Sequence, residues 1–314
     1  MRSRSLFDFV VLGFVWGSAY SLIAVALEGM TPLQVAQVRT MGGAVVLLIV
    51  LFVSSAERRA LSLTPKFLVA MLGSGLISTA APYLLISWGE TKAPSAIAGM
   101  LGATTPIFTA IMAPILLKER LGFRRGVGVA IGLGGMLLIF HPWQGSARGD
   151  VVAELAVVVA AALYGLSFIY LKRFVYPLGA STKAIAAGQI VMASLVLLCI
   201  HPTGPAVLLR AGVRVDSAIL TLGILQTGFA AVLSVRLVKS VTASVSSSVT
   251  YLIALVSVFE GFVFQHQSLG VIFFVGGAVT MIGLVIASTG EESTRRMGIR
   301  RSRATTASYH SRIE

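Results

Sequence analysis

Residues 104–139 read TTPIFTAIMAPILLKERLGFRRGVGVAIGLGGMLLI: an apolar run with Pro106 near its start, a charged knuckle Lys118-Glu119-Arg120, the pair Arg124 and Arg125, then a second apolar run dotted with glycine. Shifted by 148 positions, the pattern returns. Gly122 falls on Gly270, Gly128 on Gly276, Ala130 on Ala278 and Gly135 on Gly283, while Leu121 falls on Leu269. Upstream, Gly75 falls on Gly223 and Thr79 on Thr227. The chain is one unit written twice.

The solvent for that unit follows from composition. Of 314 residues 56% are hydrophobic and 12% charged, and the mean hydropathy is +0.90. That is more apolar surface than a water-soluble domain of this length can hide. A hydrocarbon layer of about 30 Å takes roughly 20 apolar residues per helix, so ten spans leave only short connections. The expectation is an all-α integral membrane protein with the lipid bilayer as its main partner. The net charge of +13 sits in loops and tail, where it orients the chain, so nucleic acid is not expected as a partner. A single Cys199 in an apolar run excludes an intrachain disulfide, and with no asparagine there is no N-glycosylation acceptor.

Apolar stretches of spanning length lie between charged or Pro/Gly-bearing breaks. They are Phe7–Leu27, Leu33–Val53, Phe67–Trp88, Ser95–Leu117, Gly126–Phe140, Val151–Leu171, Thr182–Ile200, Ser217–Val238, Ala243–Phe264 and Leu269–Ser288. Ala24-Val25-Ala26 resembles a leader cleavage site. The first run is nevertheless read as a retained helix, because Trp16-Gly17-Ser18-Ala19-Tyr20 matches Tyr164-Gly165-Leu166-Ser167-Phe168 at the same shift. The domains are a first five-helix repeat over 1–140, an external linker over 141–150, a second repeat over 151–288 and a basic cytoplasmic tail over 289–314.

An odd number of spans per unit sends the second copy into the membrane from the opposite face. Ten transmembrane helices in two inverted five-helix repeats are a recurrent plan of secondary transporters. Counted by alternating sides, the side of the N-terminus collects 20 Lys and Arg residues, while the other collects only Lys92, Arg148, Arg210 and Arg214. Both termini are therefore expected in the cytoplasm.

Trp16-Gly17-Ser18, Arg39, Gly75 with Thr79, Pro106 followed by Glu119-Arg120-Leu121, and the glycine-rich fifth helix together resemble the EamA-type domain of the drug/metabolite transporter superfamily. The second half repeats the pattern with Gly149-Asp150, Gly223 with Thr227, and Tyr251-Leu252, but has Ala254 and Gln267 where proline and glutamate are expected. The resemblance implies a ten-helix carrier of small metabolites in a bacterial-type inner membrane, often an exporter, with helices one, three, four, six, eight and nine around a central cavity.

Within those helices the candidate substrate contacts are Trp16, Tyr20, Tyr83, Thr104, Thr105, Tyr164, Gln226, Ser247, Ser248 and Tyr251. Rings offer apolar and cation-π faces, and hydroxyls and amides the few directed hydrogen bonds a pocket needs. The alternative reading is interfacial anchoring for the rings and close helix packing for the hydroxyls. Glu260, placed inside the ninth span, is the candidate for proton coupling, or else a snorkelling or paired acid. Arg39, at similar depth in the second span, is a candidate partner for it. Pro106 is expected to kink the fourth helix, and Glu119 to hold a salt-bridged corner or a gate.

The glycines from Gly126 to Gly135 follow no strand and precede no lysine, so they suit close helix contact rather than phosphate. The four histidines lack ligand spacing, and no catalytic constellation is found; no cofactor, metal or enzymatic activity is expected. With no ATP-binding segment, transport is expected to be downhill or ion-coupled, possible homodimer contacts falling on the fifth and tenth helices. The expected function is alternating-access export of a small metabolite such as an amino acid or drug-like compound. Rivals are a nucleotide-sugar or sugar-phosphate exchanger, a passive channel, and a non-transporting scaffold.

Overall fold

Hydroxyl and carboxylate caps start the helices at the breaks in hydropathy. Thr31 and Gln34 form a reciprocal capping box ahead of Pro32, at 3.3 Å and 2.9 Å. Thr64 caps Phe67 ahead of Pro65, Ser181 caps Ala184, and Asp150 accepts from Val152 and Ala153. Each cap satisfies amides that a helix start leaves open, and proline loses nothing in a first turn.

The computed structural model describes residues 3–55, 57, 63–117, 123–140, 150–202, 204–207, 209–241, 243–266, 270–283 and 285–286. Its helices are α1 (Ser3–Ala26), α2 (Pro32–Val53), α3 (residues 65–89), α4 (Ser95–Gly102, then Thr105–Leu117) and α5 (Phe123–Phe140). The second set is α6 (Val151–Tyr170, running on through a wide turn Leu171–Val175), α7 (Thr182–Ile200), α8 (residues 213–240), α9 (Ala243–Ser247, then Val249–Val263) and α10 (Val271–Gly283). Eight are long and apolar enough to cross a bilayer, at 19–28 residues. The apolar parts of α5 and α10, Gly126–Gly135 and Val271–Gly283, are shorter. Two sets of five make the all-α, twice-repeated fold. Phe7, Phe14, Val53, Phe123, Phe259 and Phe262 stand exposed on the outside of the bundle, where lipid replaces water.

The repeats interlock, each helix packing on a helix of the other copy. A Cβ on Gly17 would lie 2.4 Å from Val256 of α9, and one on Gly165 would lie 2.9 Å from the Thr109 amide of α4. Gly75 of α3 sits against the Gln189 carbonyl of α7, and Gly223 of α8 against Gly42 of α2. Gly135 and Gly283 each press on the other helix of the α5–α10 pair. Every one of these contacts has its counterpart 148 positions away, the mark of a pseudo-two-fold axis. Without a hydrophobic drive between helices in lipid, small residues gain attraction by bringing backbones close.

Inversion is visible at the two ends of the bundle. Ser5 at the start of α1 hydrogen-bonds Ser240 at the end of α8. Asp150 at the start of α6 pairs with Lys92 beyond the end of α3. The repeat-related helices α1 and α6 thus begin at opposite ends.

Two features differ from the expectation of smooth spans. Pro106 does not kink a continuous α4: the helix is broken at Ala103–Thr104 and restarts, with Pro106 as the second residue of the new segment. There its missing N–H costs no hydrogen bond, and the proline inside the helix is Pro114. Secondly, α3 and α8 each carry a π-type turn, at Leu76–Ala80 and Leu222–Phe229. These segments overlap under the 148-residue shift, so the irregularity belongs to the unit.

Candidate functional site

A cavity opens where α1, α3 and α4 face α6, α8 and α9, with α2 and α7 completing the wall. It encloses about 930 Å³ of atom-free space including its mouth, of which about 100 Å³ admits the centre of a water molecule. The water-accessible part is small beside the roughly 300 Å³ or more of a typical ligand pocket. The lining is largely composed of repeat-related pairs: Trp16 and Tyr164, Ala19 and Ser167, Tyr20 and Phe168, Ile23 and Leu171, Ser78 and Gln226, Thr79 and Thr227, Tyr83 and Ala231, Ile86 and Ser234, Gly102 and Thr250. The pseudo-axis therefore passes through the cavity.

The π turns place polar groups on that wall. Thr79 and Thr227 lie within them, and Thr227 Oγ1 donates to the Leu222 carbonyl at 2.8 Å, as Ser78 does to Ser74 at 2.6 Å. A π turn widens the helix by one residue and offsets the side chains that follow, a distortion common at functional sites. Trp16 Nε1 donates to the Gln226 carbonyl at 2.9 Å, and Gln226 Nε2 to Ser18 Oγ at 3.1 Å. Gln226 Oε1, shut away from solvent, has no hydrogen-bond donor among the described residues.

Arg39 is the cation of the site. It is 3% exposed, its guanidinium lies 3.6 Å above the Tyr83 ring, and Nε donates to Thr227 Oγ1 at 3.3 Å. No carboxylate stands within ion-pair distance of it among the described residues. The acid whose field it feels is Glu90, just past the end of α3. Tyr83, Ile86 and Glu90 fall on one face of α3 by helical spacing. Glu90 as a whole is half-buried, yet both its carboxylate oxygens are sealed without a hydrogen bond. Burial pushes its carboxyl well above the ordinary carboxylate range, and Arg39 pulls the other way.

The two ends of the bundle carry different ion pairs. At the end holding the N-terminus, Arg236 of α8 grips Asp8 of α1 with both Nε, at 2.6 Å, and Nη2. Asp8 is 1% exposed there. The positions related by 148 are Trp88 and Ala156, so the opposite end has no equivalent. Its ion pairs, Lys92 with Asp150 and Arg214 with Glu28, are surface contacts. The Lys92 hydrogen bond holds Asp150 below the ordinary carboxylate range, assisted by the α6 amides and opposed by desolvation.

Of the ten contacts expected from sequence, Trp16, Tyr20, Tyr83, Tyr164 and Gln226 line this cavity, as does Arg39. The other five lie off the lining. Thr104 and Thr105 turn their hydroxyls onto the Leu101 and Gly102 carbonyls at the α4 break, and Ser248 onto Val245. Ser247 is buried on α9, and Tyr251 packs beside Ile107, Ala110 and Val129. Glu260 sits on α9 beside Ser21 of α1, off the cavity wall, so the sequence-based pairing with Arg39 is replaced by Tyr83, Thr227 and the field of Glu90. Glu119 falls outside the described residues, as do the linker over 141–149 and the tail. Sequence reasoning missed Glu90, Ser78, Thr79 and Thr250. The 148-residue shift was the signal for the last three, each of which pairs with another lining residue.

A model of the EamA-like transporter family matches residues 5–141 and 151–289. The chain is 29% identical over 216 residues to "Uncharacterized transporter YdfC" of Bacillus subtilis strain 168, covering 68% of this chain and 67% of the relative. It is 24% identical over 307 residues to "Uncharacterized inner membrane transporter YedA" of Escherichia coli K12, covering 93% and 94%. It is 25% identical over 307 residues to a "Probable terminal-alkyne amino-acid exporter" of Streptantibioticus cattleyicolor, covering 96% and 98%. A crystal structure 17% identical in sequence superposes with a TM-score of 0.68 over 91% of this chain and 98% of that one, which bears on the fold alone.

Proposed function

The chain belongs to the EamA-like transporter family, and from that premise we propose that it is a secondary carrier exporting a small amphipathic metabolite, amino acid or drug-like, by alternating access. The observation that carries this reading is the cavity built from repeat-related pairs. An opening toward one face has a near-equivalent toward the other, at similar energy, because the same contacts recur inverted. The charge count favours both termini in the cytoplasm and the Asp8–Arg236 end facing inward, in a bacterial-type inner membrane. A relative named as an amino-acid exporter, aligned over 96% of this chain, supports the substrate range.

Counterflow in proteoliposomes tests it. Preloaded substrate accelerates entry of labelled substrate through a carrier; entry indifferent to preloading marks a channel, and no flux marks a scaffold. A phosphorylated or nucleotide-linked sugar fits less well, since Arg39 is the one cationic side chain along the described wall.

A further inference from the structure

Among the described acids, Glu90 is the one whose carboxylate meets neither a donor nor water. Asp8 is gripped by Arg236, Glu28 by Arg214, Asp150 by Lys92 and Glu57 by Lys183 with Ser181, while Asp216 accepts the Leu209 amide. Glu260 lies beside Ser21. Glu154 stands in the first turn of α6, where a helix start favours negative charge. Glu90 has both oxygens sealed and without a hydrogen bond.

Its place in the chain makes a charge still harder to hold. Glu90 is the residue that ends α3, its amide bonded to the Ile86 carbonyl at 2.9 Å, so its carboxyl sits at the negative end of the helix dipole. One residue earlier, a Cβ on Gly89 would lie 2.6 Å from Val157 and 2.9 Å from the Ala153 carbonyl of α6. The crossing of α3 and α6 is therefore shut where Glu90 stands. The titratable and charged groups around it are Arg39 of α2 and Tyr20 of α1, each within reach of its field, Asp150 and Glu154 at the start of α6, and Lys92. Lys92 is tied to Asp150, and Arg39 makes no ion pair among the described residues. A buried carboxyl in such a setting keeps its proton, because the neutral acid avoids the desolvation that the ion suffers.

We propose that Glu90 is a proton-binding site that governs the Lys92–Asp150 end of the carrier: a Glu90 oxygen takes a proton from the water at that end as α3 closes on α6, and returns it when the two part. The O–H bond made on closing is the one broken on opening, so no other reactant is consumed. The assignment rests on the carrier reading above and adds its ion. Opening toward that end releases one proton, and acid holds it shut. Tyr83 and Ile86, on the same face of α3, line the cavity, so a movement of α3 that frees Glu90 moves the substrate wall with it.

The test follows two repeat-related cavity residues, Ile86 late in α3 and Ser234 late in α8, which lie toward opposite ends of the bundle. Each is replaced by cysteine in a Cys199→Ser background of the full-length protein in detergent. Alkylation by N-ethylmaleimide is timed from about pH 5 to about pH 8, above the ordinary carboxylate range. With Glu90 present, the rate at Ile86→Cys divided by that at Ser234→Cys climbs with pH, by up to about tenfold per unit where the proton leaves; the chemistry common to both thiols cancels in the ratio. Glu90→Gln, which keeps the shape of the protonated acid, holds the ratio low and flat, and Glu154→Gln leaves the climb in place. A flat ratio with native Glu90 overturns the proposal without any substitution at Glu90, as does a climb that survives Glu90→Gln. Either result, with both cysteines reactive, leaves the carrier reading standing. A Glu90-dependent climb in a protein without counterflow keeps the proton site and sinks the carrier. Cysteines unreactive at every pH sink both, since neither end then opens.

Discussion

The two halves of the cavity descend from one sequence pattern and have diverged in chemistry. On the first-repeat side stand Trp16, Tyr20, Tyr83 and Arg39; their counterparts are Tyr164, Phe168, Ala231 and Ala187. Aromatic bulk is kept at two positions, while the cation and its stacking ring exist on one side only. The second side answers with neutral polar groups, Gln226, Ser234 and Thr250, opposite Ser78, Ile86 and Gly102. The ends differ in the same way, one carrying an ion pair with a buried carboxylate and the other only surface pairs. Backbone packing is symmetric between the repeats, while the side chains that line the cavity are not.

The ion pair offers the strongest way to break this comparison. Arg236→Leu strands a carboxylate that is 1% exposed, whereas Asp8→Leu leaves a guanidinium 29% exposed that can reach water. Arg236→Leu should lower stability by about 3 kcal/mol or more, and Asp8→Leu by clearly less. Thermal melts in detergent read the difference. Labelling of Ser234→Cys by a membrane-impermeant thiol reagent, applied from the N-terminal side, should rise in the Arg236→Leu background; equal melts and unchanged labelling would deny the pair its latching role.

Packing symmetry is tested next. Gly75→Ala drives a Cβ to 2.4 Å from the Gln189 carbonyl, a backbone atom, while Gly223→Ala meets Gly42 Cα at 3.2 Å. The first should cost about 1–3 kcal/mol, and the second a fraction of that. Comparable losses would mean that the two crossings are equally tight.

Acid titration gives a smaller effect. Because burial favours the protonated form of Glu90, the folded state loses stability as pH rises beyond the ordinary carboxylate range. Glu90→Gln should flatten that decline in Tm, and Glu260→Gln should leave the pH profile of transport in place. The smallest change belongs to Asp150→Asn. The depressed titration of Asp150 means its contribution is present at neutral pH and fades as pH falls below about 4. The variant should melt slightly lower at pH 7 and level with the wild type in acid.

Much of this architecture was legible in the sequence because membrane helices advertise themselves by length and hydropathy, and a repeat by recurring glycines. Gly17 with Gly165 and Gly75 with Gly223 mark contacts in which both copies need the same absence of a side chain. The rest depended on three-dimensional neighbours. Thr104, Thr105 and Ser248 are the right residue types on the right helices, but broken helices leave open carbonyls and their hydroxyls satisfy those. Glu90 looked like a loop residue beside Thr91 and Lys92, and only the packing of α3 shows its oxygens enclosed. Arg39 stood out as a charge inside a span, yet its partner is a ring 44 positions along the chain, which no periodicity announces.

The wide turns in α3 and α8 bear on how such a wall could move at all. A helix in lipid cannot unwind, since each amide stripped of its partner costs several kcal/mol. A turn that already accommodates a surplus residue can hand that surplus to the next turn, rotating everything beyond it while most amides merely exchange acceptors. Thr79 and Thr227 ride on those turns, and Thr227 holds Arg39. A travelling register shift would therefore turn Thr79 or Thr227, and with Thr227 its bond to Arg39, by rotation rather than by rupture of the helix.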